Sequence, residues 1–205
     1  MKHIKIDGKL FYPSKVVCIG RNYVEHIKEL NNEVPTQAVI FVKPNSAISE
    51  EIVSNDVEAI HYEAELSFVI NAGKISAVGF GLDLTKRALQ SILKTQGLPW
   101  ERAKAFDKSA VFSEFVSFSG EVQSLSLQLL INDKLIQYAN VDLMIHKPTE
   151  IISEVSCFMS FEAGDVLMTG TPKGVGQLFT NDHFTGRIFE GDTLLIEQHW
   201  TVEPK

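Results

Sequence analysis

The amino-acid sequence predicts a β-rich α+β fold built from many short strands and three helices. Leu125, Leu127 and Leu129 occupy every second position of one run, a spacing that is typical of a half-buried strand. Asn132 to Lys134 then supplies turn residues before a returning apolar run, which is the pattern of a β-hairpin. Helices do not alternate regularly with strands, so the sequence does not indicate a parallel sheet of βαβ units.

In the first half of the chain, apolar runs predict strands and one helical spacing predicts a helix. The helix follows from apolar residues at Tyr23, Ile27 and Leu30. Its polar side carries His26 and Glu29, which share one face. The predicted elements are, in order, strand 15–19, helix 22–30, strand 38–42 ended by Pro44, surface loop 50–58 and the alternating strand 59–70.

The second half contains two further predicted helices, each beginning at a threonine. Thr85 is the predicted N-cap of a helix that runs to Gln96 and is closed by Gly97. Thr149 is the predicted N-cap of a helix through Met159. The other predicted strands are 77–84, 125–131, 135–138 and, after the turns Gly164-Asp165 and Gly191-Asp192, 166–169 and 193–197.

Length and composition bound the class of protein. The 205 residues suit one domain, 1–205, with residues 1–14 as an N-terminal strand or extension. Hydrophobic residues make up 44% and charged residues 22%, which excludes a disordered or coiled-coil chain. The net charge is −7 and basic residues form no run, so neither nucleic acid nor a membrane surface is an expected partner.

The sequence predicts a cytoplasmic protein. No apolar stretch approaches the roughly 18 residues of a membrane span. The N-terminus alternates polar and apolar residues up to Asp7, so it lacks the apolar region of a signal peptide. Cys18 and Cys157 both lie among apolar neighbours, which favours two small buried side chains over a disulfide.

Two glutamates in the strand 59–70 are the first candidates for chemistry. Side chains two residues apart on a strand point the same way with backbones about 6.6 Å apart, so Glu63 and Glu65 could converge on one divalent cation. A solvated strand face is the commoner reason for such a pair. Asp83 favours a site because it interrupts an apolar stretch at a predicted strand end, although it could equally cap the following helix.

Three carboxylates form an all-oxygen site, which selects hard cations such as Mg²⁺, Mn²⁺ or Ca²⁺ rather than zinc. Their three negative charges exceed the two of the cation, so a nearby lysine is expected. Lys104 is the best candidate, the alternative being a lysine whose stem covers apolar surface. His61 is more simply a structural histidine than a further ligand, because three carboxylates suffice.

A Gly-rich segment at 170–176 is a further candidate for binding. It lacks the residue order of a nucleotide-binding P-loop, so nucleotide binding is not expected. A turn that presents the backbone amide of Gly170 and the hydroxyl of Thr171 to a substrate carboxylate fits the segment better.

Short motifs in a fixed order, from about residue 15 to residue 197, carry a family resemblance. Each motif is short, but the ordered set is specific. The sequence resembles the fumarylacetoacetate hydrolase family, most of all its small single-domain acylpyruvases and oxaloacetate decarboxylases. The matching segments are Gly20-Arg21-Asn22-Tyr23 with His26 and Glu29, Lys43-Pro44, His61-Tyr62-Glu63-Ala64-Glu65-Leu66, Gly81-Leu82-Asp83-Leu84-Thr85 with Arg87 and Gln90, Gly97-Leu98-Pro99-Trp100, Ala103-Lys104-Ala105-Phe106-Asp107, Gly164-Asp165 and 169–176.

The resemblance implies a mixed β-roll or sandwich with a few helices, usually assembled as a homodimer. It implies that Mg²⁺ or Mn²⁺ is held by Glu63, Glu65 and Asp83. One departure concerns the helix after Asp83, where the family usually has Arg-Asp and this chain has Arg87-Ala88. The metal ligand is retained, while support of Arg87 or of the nearby loops is put in doubt.

The resemblance also assigns roles to residues outside the metal site. His26 and Glu29 are implied to form a general-base pair on a mobile lid helix at about residues 22–34, and Lys104 is the third implied catalytic residue. The residues implied to contact the substrate are Arg21, Gln90, Gly170 and Thr171.

The expected function is Mg²⁺-dependent cleavage of a C–C bond in a small 2-oxo or 2,4-dioxo acid, through a metal-stabilised pyruvate enolate. In acylpyruvate hydrolysis His26 would activate a water and Glu29 would orient the imidazole, whereas oxaloacetate decarboxylation needs no water. The alternatives are an isomerase, decarboxylase or hydratase of hydroxydienoates from aromatic catabolism, a non-catalytic module that binds metal or 2-oxo acid, and a structural protein with solvated acidic residues.

Overall fold

The computed structural model describes residues 1–29, 37–55 and 57–205, and strands predominate over helices in this part of the chain. The strands are β1 (Ile4–Ile6), β2 (Lys9–Phe11), β3 (Lys15–Gly20), β4 (Val39–Pro44), β5 (Ile48–Ser49), β6 (Ile60–Tyr62), β7 (Ala64–Asn71), β8 (Lys74–Asp83), β9 (Thr85–Lys86), β10 (Ala110–Phe112), β11 (Val116–Ser117), β12 (Leu125–Ile131), β13 (Lys134–Asn140), β14 (Asp165–Met168), β15 (Gly176–Gln177), β16 (His183–Glu190) and β17 (Thr193–Thr201). The α-helices are α1 (Val24–Glu29), α2 (Arg87–Thr95), α3 (Glu101–Lys104) and α4 (Pro148–Ser156), and 3₁₀ turns lie at Asn45–Ala47, Val122–Ser124 and Val141–Leu143.

A mixed sheet forms the centre of the molecule, in the order β4-β3-β14-β7-β8-β10-β5 with β11 on β8. β3 runs parallel to β14 and β5 runs parallel to β10, while the other neighbours are antiparallel. The hairpin of β7 and β8 is buried along nearly all of its length. Burial on both faces explains why the alternation predicted for the strand 59–70 gives way to consecutive apolar residues at Phe68, Val69 and Ile70.

A second sheet, β13-β12-β16-β17, is antiparallel throughout and packs against the first. Phe80 of the central sheet lies against Trp200 with ring centroids 5.8 Å apart, and Tyr62 meets Phe184 edge-on at 5.3 Å. A Cβ atom at Gly186 would approach the Phe80 ring to 2.7 Å, so the close contact of the sheets requires glycine there. The two sheets enclose one apolar core and confirm the predicted β-rich α+β fold.

Smaller elements attach to this core. β1 and β2 form a hairpin within the predicted N-terminal extension, and Ile6 joins it to the core through a bridge to Phe115. A three-stranded sheet, β15-β6-β9, lies beside the end of β7. Because β6 pairs with β9, this sheet joins the residues directly before Glu63 to the residues directly before α2.

Both predicted threonine caps are wrong. Thr85 belongs to the short strand β9, and α2 begins only after Lys86. Pairing with β6 and a hydrogen bond from the Thr85 hydroxyl to the Asp83 carbonyl at 3.2 Å hold this residue out of the helix. Thr149 lies inside α4, which begins at Pro148 because proline has the backbone angle of a first helical residue.

Three other expectations change with the structure. The predicted surface loop 50–58, of which residue 56 lies outside the described part, contains Ile52, which is fully buried. Cys18 is buried as predicted, whereas Cys157 is exposed just beyond the end of α4. The predicted helix 22–30 begins two residues later, at Val24, as α1. Position 30 of this helix and positions 30–34 of the expected lid lie outside the described residues.

In the described ranges, every helix is too short or too polar to span a lipid bilayer.

Candidate active site

The antiparallel pairing of β7 with β8 brings together the three predicted metal ligands. The predicted strand 59–70 is interrupted at Glu63, which separates β6 from β7. The amide of Asp83, at the end of β8, donates to the carbonyl of Glu63 at 2.9 Å. Glu63, Glu65 and Asp83 each offer a carboxylate oxygen, and these oxygens lie within 4.8 Å of one another.

All three carboxylates are buried, with exposures of 6% for Glu63 and 1% each for Glu65 and Asp83. Burial excludes the solvated strand face that would otherwise explain the two glutamates. The helix-capping alternative for Asp83 is excluded as well, because Lys86 is the N-cap of α2. Buried negative charges require positively charged partners or a metal ion close by.

Lys104, at the end of α3, is the lysine that the sequence predicts. Its Nζ lies 2.9 Å from Glu63 Oε2 and 2.6 Å from Asp83 Oδ2. It also donates to the hydroxyl of Thr85 at 2.6 Å. Lys104 is only 3% exposed, so the alternative of a stem over apolar surface with its ammonium in water does not hold.

Two further cations join the cluster. Lys43 on β4 is completely buried, with Nζ 2.8 Å from Asp83 Oδ1, and it donates to the main-chain carbonyl of Lys104. Arg87 at the start of α2 pairs with Glu63 and donates to Gln90 Oε1 at 2.8 Å. Sequence reasoning gave Lys43 no role, although a lysine directly after an apolar strand run was an available indication.

The pKa values of the two glutamates move in opposite directions. Burial raises the pKa of both, but the charges of Lys104 and Arg87 hold the pKa of Glu63 well below its usual range. At Glu65 the charges of Asp83 and Glu63 add to burial and raise the pKa well above its usual value. Within the described part of the chain, ion pairs reach Glu63 and Asp83 but not Glu65, which accepts only a hydrogen bond from the Gly170 amide at 2.7 Å.

The residues present fit a hard divalent cation. Three buried carboxylates offer an all-oxygen donor set, which is what Mg²⁺ and Mn²⁺ prefer over softer ligands. Glu65 is the carboxylate of the three that makes no ion pair with a protein cation in the described ranges, and its raised pKa favours the neutral form. A bound divalent cation would supply the positive partner that the ionised form of Glu65 lacks.

His26 and Glu29 form the predicted pair on α1. Because they are three residues apart they share one helix face, and His26 Nδ1 lies 3.2 Å from Glu29 Oε2. His26 is buried, while the amide of Gly174 donates to the Glu29 carboxylate at 3.0 Å. The Gly-rich segment therefore fixes Glu29, and Glu29 in turn orients the imidazole.

A small cavity joins the pair to the carboxylate cluster. It has a volume of about 40 Å³ and lies between α1, α2 and α3. The residues with predicted roles that line it are Arg21, His26, Glu63, Gln90 and Lys104. The other lining residues are Gly20, Ile27, Phe41, Arg87, Lys94 and Trp100. A cavity of about 820 Å³ beside Phe106 and Glu203 is much larger, but none of the residues with predicted roles lines it.

Gly170 and Thr171 do not line the cavity, and each makes a hydrogen bond to another part of the protein. The Gly170 amide is used by Glu65, so it is not presented to a substrate carboxylate in this structure. The Thr171 hydroxyl accepts a hydrogen bond from the side chain of Gln137 at 2.9 Å. Gln137 is buried on β13, and its Oε1 accepts from the amide of Ala64 at 3.1 Å, a role that sequence reasoning missed.

Asn22 joins the ends of β3 and β14 and so positions Arg21. Its side-chain amide donates to the carbonyls of Thr169 at 2.8 Å and of His146 at 2.9 Å. Arg21 has a φ of 59°, a left-handed conformation that is uncommon for arginine and is typical of functional turns. This turn places Arg21 in the cavity wall.

The departure at Ala88 leaves the site intact. Ala88 lies on the exposed side of α2, while Arg87 is held by its contacts with Glu63 and Gln90. The position of Arg87 therefore does not depend on an acidic side chain at residue 88. His61, on β6, is outside the group of carboxylates, and burial lowers its pKa.

The fold and the cluster of carboxylates define a known class of enzyme domain. Residues 15–199 match the family model described as fumarylacetoacetate (FAA) hydrolase C-terminal. The chain belongs to the fumarylacetoacetate hydrolase family, which confirms the resemblance carried by the motifs.

Particular relatives narrow the comparison. The chain is 40% identical to oxaloacetate tautomerase YcgM of Escherichia coli (strain K12), over 94% of this chain and 97% of that protein. A fumarylacetoacetate isomerase/hydrolase-type structure from Oleispira antarctica superposes with a TM-score of 0.93 at 33% identity, over 98% of this chain and all of that one. Fumarylpyruvate hydrolase from Pseudomonas aeruginosa, solved with Mn²⁺ and pyruvate, superposes with a TM-score of 0.88 at 27% identity, over 99% and 96% of the chains.

The arrangement has the parts needed for proton transfer beside a carbonyl group. A histidine with an orienting carboxylate lines the same cavity as the Lys104 ammonium and the Arg87 guanidinium. A base and fixed positive charge in one buried site can remove a proton from carbon and stabilise the oxygen that becomes negative.

Proposed function

We propose that the chain catalyses keto–enol tautomerisation of a small 2-oxo acid, with oxaloacetate as its substrate. The observation that carries this proposal is the His26–Glu29 pair, which lies at a cavity that Lys104 and Arg87 also line. Tautomerisation needs a base and an adjacent positive charge but neither a leaving group nor an attacking water. The name of the Escherichia coli relative, at 40% identity, supports oxaloacetate.

In this proposal His26 is the base. Glu29 engages Nδ1, so Nε2 faces the substrate. Nε2 removes a proton from carbon 3 of the keto form, and the electrons of that C–H bond form the double bond between carbons 2 and 3. The protonated imidazole then returns this proton to the oxygen on carbon 2, which leaves His26 neutral again. Atoms and charge balance as an isomerisation, and the reverse sequence returns the keto form.

Lys104 stabilises the oxygen that becomes negative. Burial alone would lower the pKa of Lys104, but the charges of Asp83 and Glu63 outweigh burial and raise the pKa above its usual value. Lys104 therefore keeps its proton and acts as a fixed positive charge. When Mg²⁺ or Mn²⁺ is bound by Glu63, Glu65 and Asp83, it supplies further positive charge as a Lewis acid.

Arg21, Arg87 and Gln90 are proposed to hold the carboxylate of the 2-oxo acid. The cavity of about 40 Å³ is much smaller than the roughly 300 Å³ of the smallest usual ligand pockets, so a wall must move to admit substrate. We assign this movement to α1, because α1 carries the proposed base and borders the cavity.

Cleavage of a C–C bond is the second candidate. Hydrolysis of an acylpyruvate and decarboxylation of oxaloacetate both pass through an enolate, which the same positive charges would stabilise. The observation that favours this candidate is the likeness to fumarylpyruvate hydrolase from Pseudomonas aeruginosa. In hydrolysis, His26 would remove a proton from water rather than from carbon.

The test follows the ultraviolet absorbance of enol-oxaloacetate with Mg²⁺ present. His26→Ala should lower kcat/KM by about 10² to 10⁴, and Glu29→Gln should lower it less. His199→Ala, at an exposed position on β17, is the matched control and should have wild-type activity. An unchanged rate in His26→Ala would show that His26 is not the base. Hydrolysis of acetylpyruvate without tautomerisation of oxaloacetate would favour the second candidate.

A further inference from the structure

Gln137 is a buried polar residue on β13 that the proposed reaction does not use. Leu129 of β12 pairs with Gln137. The next residue, Leu130, pairs with Leu135, which leaves Ile136 as the extra residue of a β-bulge. A β-bulge changes the direction of the side chains beside it, and the carboxamide of Gln137 reaches two other segments of the chain.

The carboxamide of Gln137 joins the strand of the metal ligands to the Gly-rich segment. Its Oε1 accepts a hydrogen bond at 3.1 Å from the amide of Ala64, the residue between the two glutamates. Its Nε2 donates to the hydroxyl of Thr171 and to the carbonyl of Pro172, each at 2.9 Å. The side chain therefore uses both its acceptor and its donors, a combination that a carboxamide provides.

The Gly-rich segment packs on the bulge and carries this connection on to α1. A Cβ atom at Gly174 would lie 2.5 Å from the carbonyl oxygen of Ile136, so the two backbones are in direct contact. The amide of Gly174 donates to Glu29 Oε1 at 3.0 Å, and Glu29 Oε2 lies 3.2 Å from His26 Nδ1. The contacts of Gln137 thus continue through the backbone of this segment to the proposed base.

We infer that Gln137 positions the His26–Glu29 pair relative to the carboxylate cluster. This inference rests on the proposed function, in which His26 is the base. Gln137 is a positioning residue, because it does not line the cavity and acts through the Gly-rich segment. A base works only when it is held at the proton that it removes, so a loosened segment should slow the chemical step more than it weakens substrate binding.

The test replaces Gln137 by methionine, which has a similar shape and no amide group. Gln137→Met should lower kcat for the tautomerisation of oxaloacetate by about 10- to 100-fold and change KM by less than about threefold. In a Glu29→Ala background, where the connection is already cut, the same substitution should lower kcat by less than about twofold. A general loss of structure would instead lower kcat by the same factor in both backgrounds.

Two control variants measure the effects of lost stability and of the substitution itself. Leu127→Ala removes a buried side chain from β12 and should lower the Tm at least as much as Gln137→Met does. Assayed well below its Tm, it should keep kcat within about twofold of the wild type. Gln128→Met makes the same exchange at a half-buried position on β12 and should change neither kcat nor KM.

The Gly-rich segment offers a second pair of variants, which also serves if Gln137→Met does not fold. Thr171→Val removes the hydroxyl that accepts from Gln137 with little change of shape, whereas Thr171→Ser keeps the hydroxyl. Thr171→Val should lower kcat by several-fold, and this loss should disappear in the Glu29→Ala background. Thr171→Ser should retain most of the wild-type kcat.

Nuclear magnetic resonance of protein with isotope-labelled histidine reports on the pair without turnover. The signals of the His26 ring, identified by their loss in His26→Ala, should show the proton on Nδ1 in the wild type, where Glu29 accepts it. These signals should shift in Gln137→Met and in Thr171→Val, because Glu29 is no longer held in place. They should not shift in Leu127→Ala.

The outcomes separate this inference from the proposed function. An unchanged kcat, equal losses in the two backgrounds, or unchanged His26 signals in Gln137→Met and Thr171→Val would each overturn the role of Gln137. A wild type without tautomerase activity whose His26 signals still shift in Gln137→Met would overturn the proposed reaction and leave the positioning role standing.

Discussion

Lys43 is a charged residue on a strand whose other members are apolar, and the fold buries it completely. It contacts the Asp83 carboxylate and donates to the backbone carbonyls of Lys104 and, at 3.4 Å, of Leu84. One ammonium group thus joins a metal ligand to the segment that carries the second lysine. This contact positions Asp83 and Lys104 and does not require Lys43 to touch substrate.

We expect Lys43→Met to lower the free energy of unfolding by about 3–5 kcal/mol, because it leaves the buried Asp83 with one positive partner fewer. Methionine has a similar volume, so the loss measures the ion pair rather than a cavity. Urea unfolding gives the value.

Lys108→Met is the matched control for this prediction. Lys108 pairs with Glu51 at 2.6 Å, a similar distance, but both side chains are exposed. Exposed pairs contribute little, so the control should lose much less stability. Equal losses in the two variants would contradict a structural role for the buried pair.

At the scale of elements, the turn after β14 supports the carboxylate cluster through Glu65. Gly170 has a φ of +91°, and a Cβ there would lie 2.8 Å from the Cβ of Asn22 and 3.1 Å from the carbonyl oxygen of Ile19. Only glycine fits so close to the end of β3 without displacement. The same residue donates its amide to Glu65.

Gly170→Ala should therefore cost about 2–4 kcal/mol of stability, about 1 kcal/mol from the left-handed backbone and the rest from the steric contact. Activity should fall as well, because displacement of the turn withdraws the hydrogen bond from Glu65. Thermal unfolding and the tautomerase assay measure the two effects.

Gly73→Ala separates the two contributions to that cost. Gly73 has a φ of +72°, and a Cβ added there would have no atom of the described residues within 4 Å. The variant should lose only about 1 kcal/mol and keep full activity. A Gly170→Ala variant that behaves like Gly73→Ala would show that the turn tolerates a side chain.

At the scale of the whole molecule, Asp165 ties the N-terminal segment to the central sheet. It is fully buried and accepts hydrogen bonds from the amide and hydroxyl of Ser14, each at 2.8 Å, and from the amide of Glu162 at 2.9 Å. Lys15 adds an ion pair. Burial raises the pKa of Asp165, but these hydrogen bonds outweigh burial and lower it below the ordinary value of 3.8.

A lowered folded-state pKa makes stability depend on pH. The contribution of Asp165 is complete above the unfolded-state pKa and is lost as pH falls through the folded-state pKa. Asp165→Asn should be less stable than the wild type by about 3 kcal/mol at pH 7, and the difference should shrink below about pH 4.

Asp192→Asn is the control, since Asp192 follows glycine in a similar turn but is exposed. Urea unfolding at a series of pH values should give parallel curves for this variant and the wild type. A constant difference between Asp165→Asn and the wild type down to about pH 2 would contradict the proposed linkage. The single domain, the homodimer and the cytoplasmic location stay predictions at this scale.

Several residues of the site could be predicted from sequence, and others could not. Glu63, Glu65 and Asp83 follow from strand spacing and from an acidic residue at the end of an apolar run. Helical spacing predicts that His26 and Glu29 share one face, and the family resemblance implies their role in the site. Lys43, Asn22 and Gln137 were missed, because each acts through a contact with a distant segment that local periodicity does not encode.

The sequence by itself determined the strands and helices that have strong periodicity, and the residue types of an oxygen-ligand site in a family with ordered motifs. Tertiary structure alone decided which carboxylate lacks an ion pair in the described part, which lysines are buried, and that Lys94 and Arg21 share one cavity. The physical reason is that pairing register and burial set the distances between charges far apart in sequence. Local patterns report which face a side chain occupies, whereas the neighbours on that face come from other strands and helices.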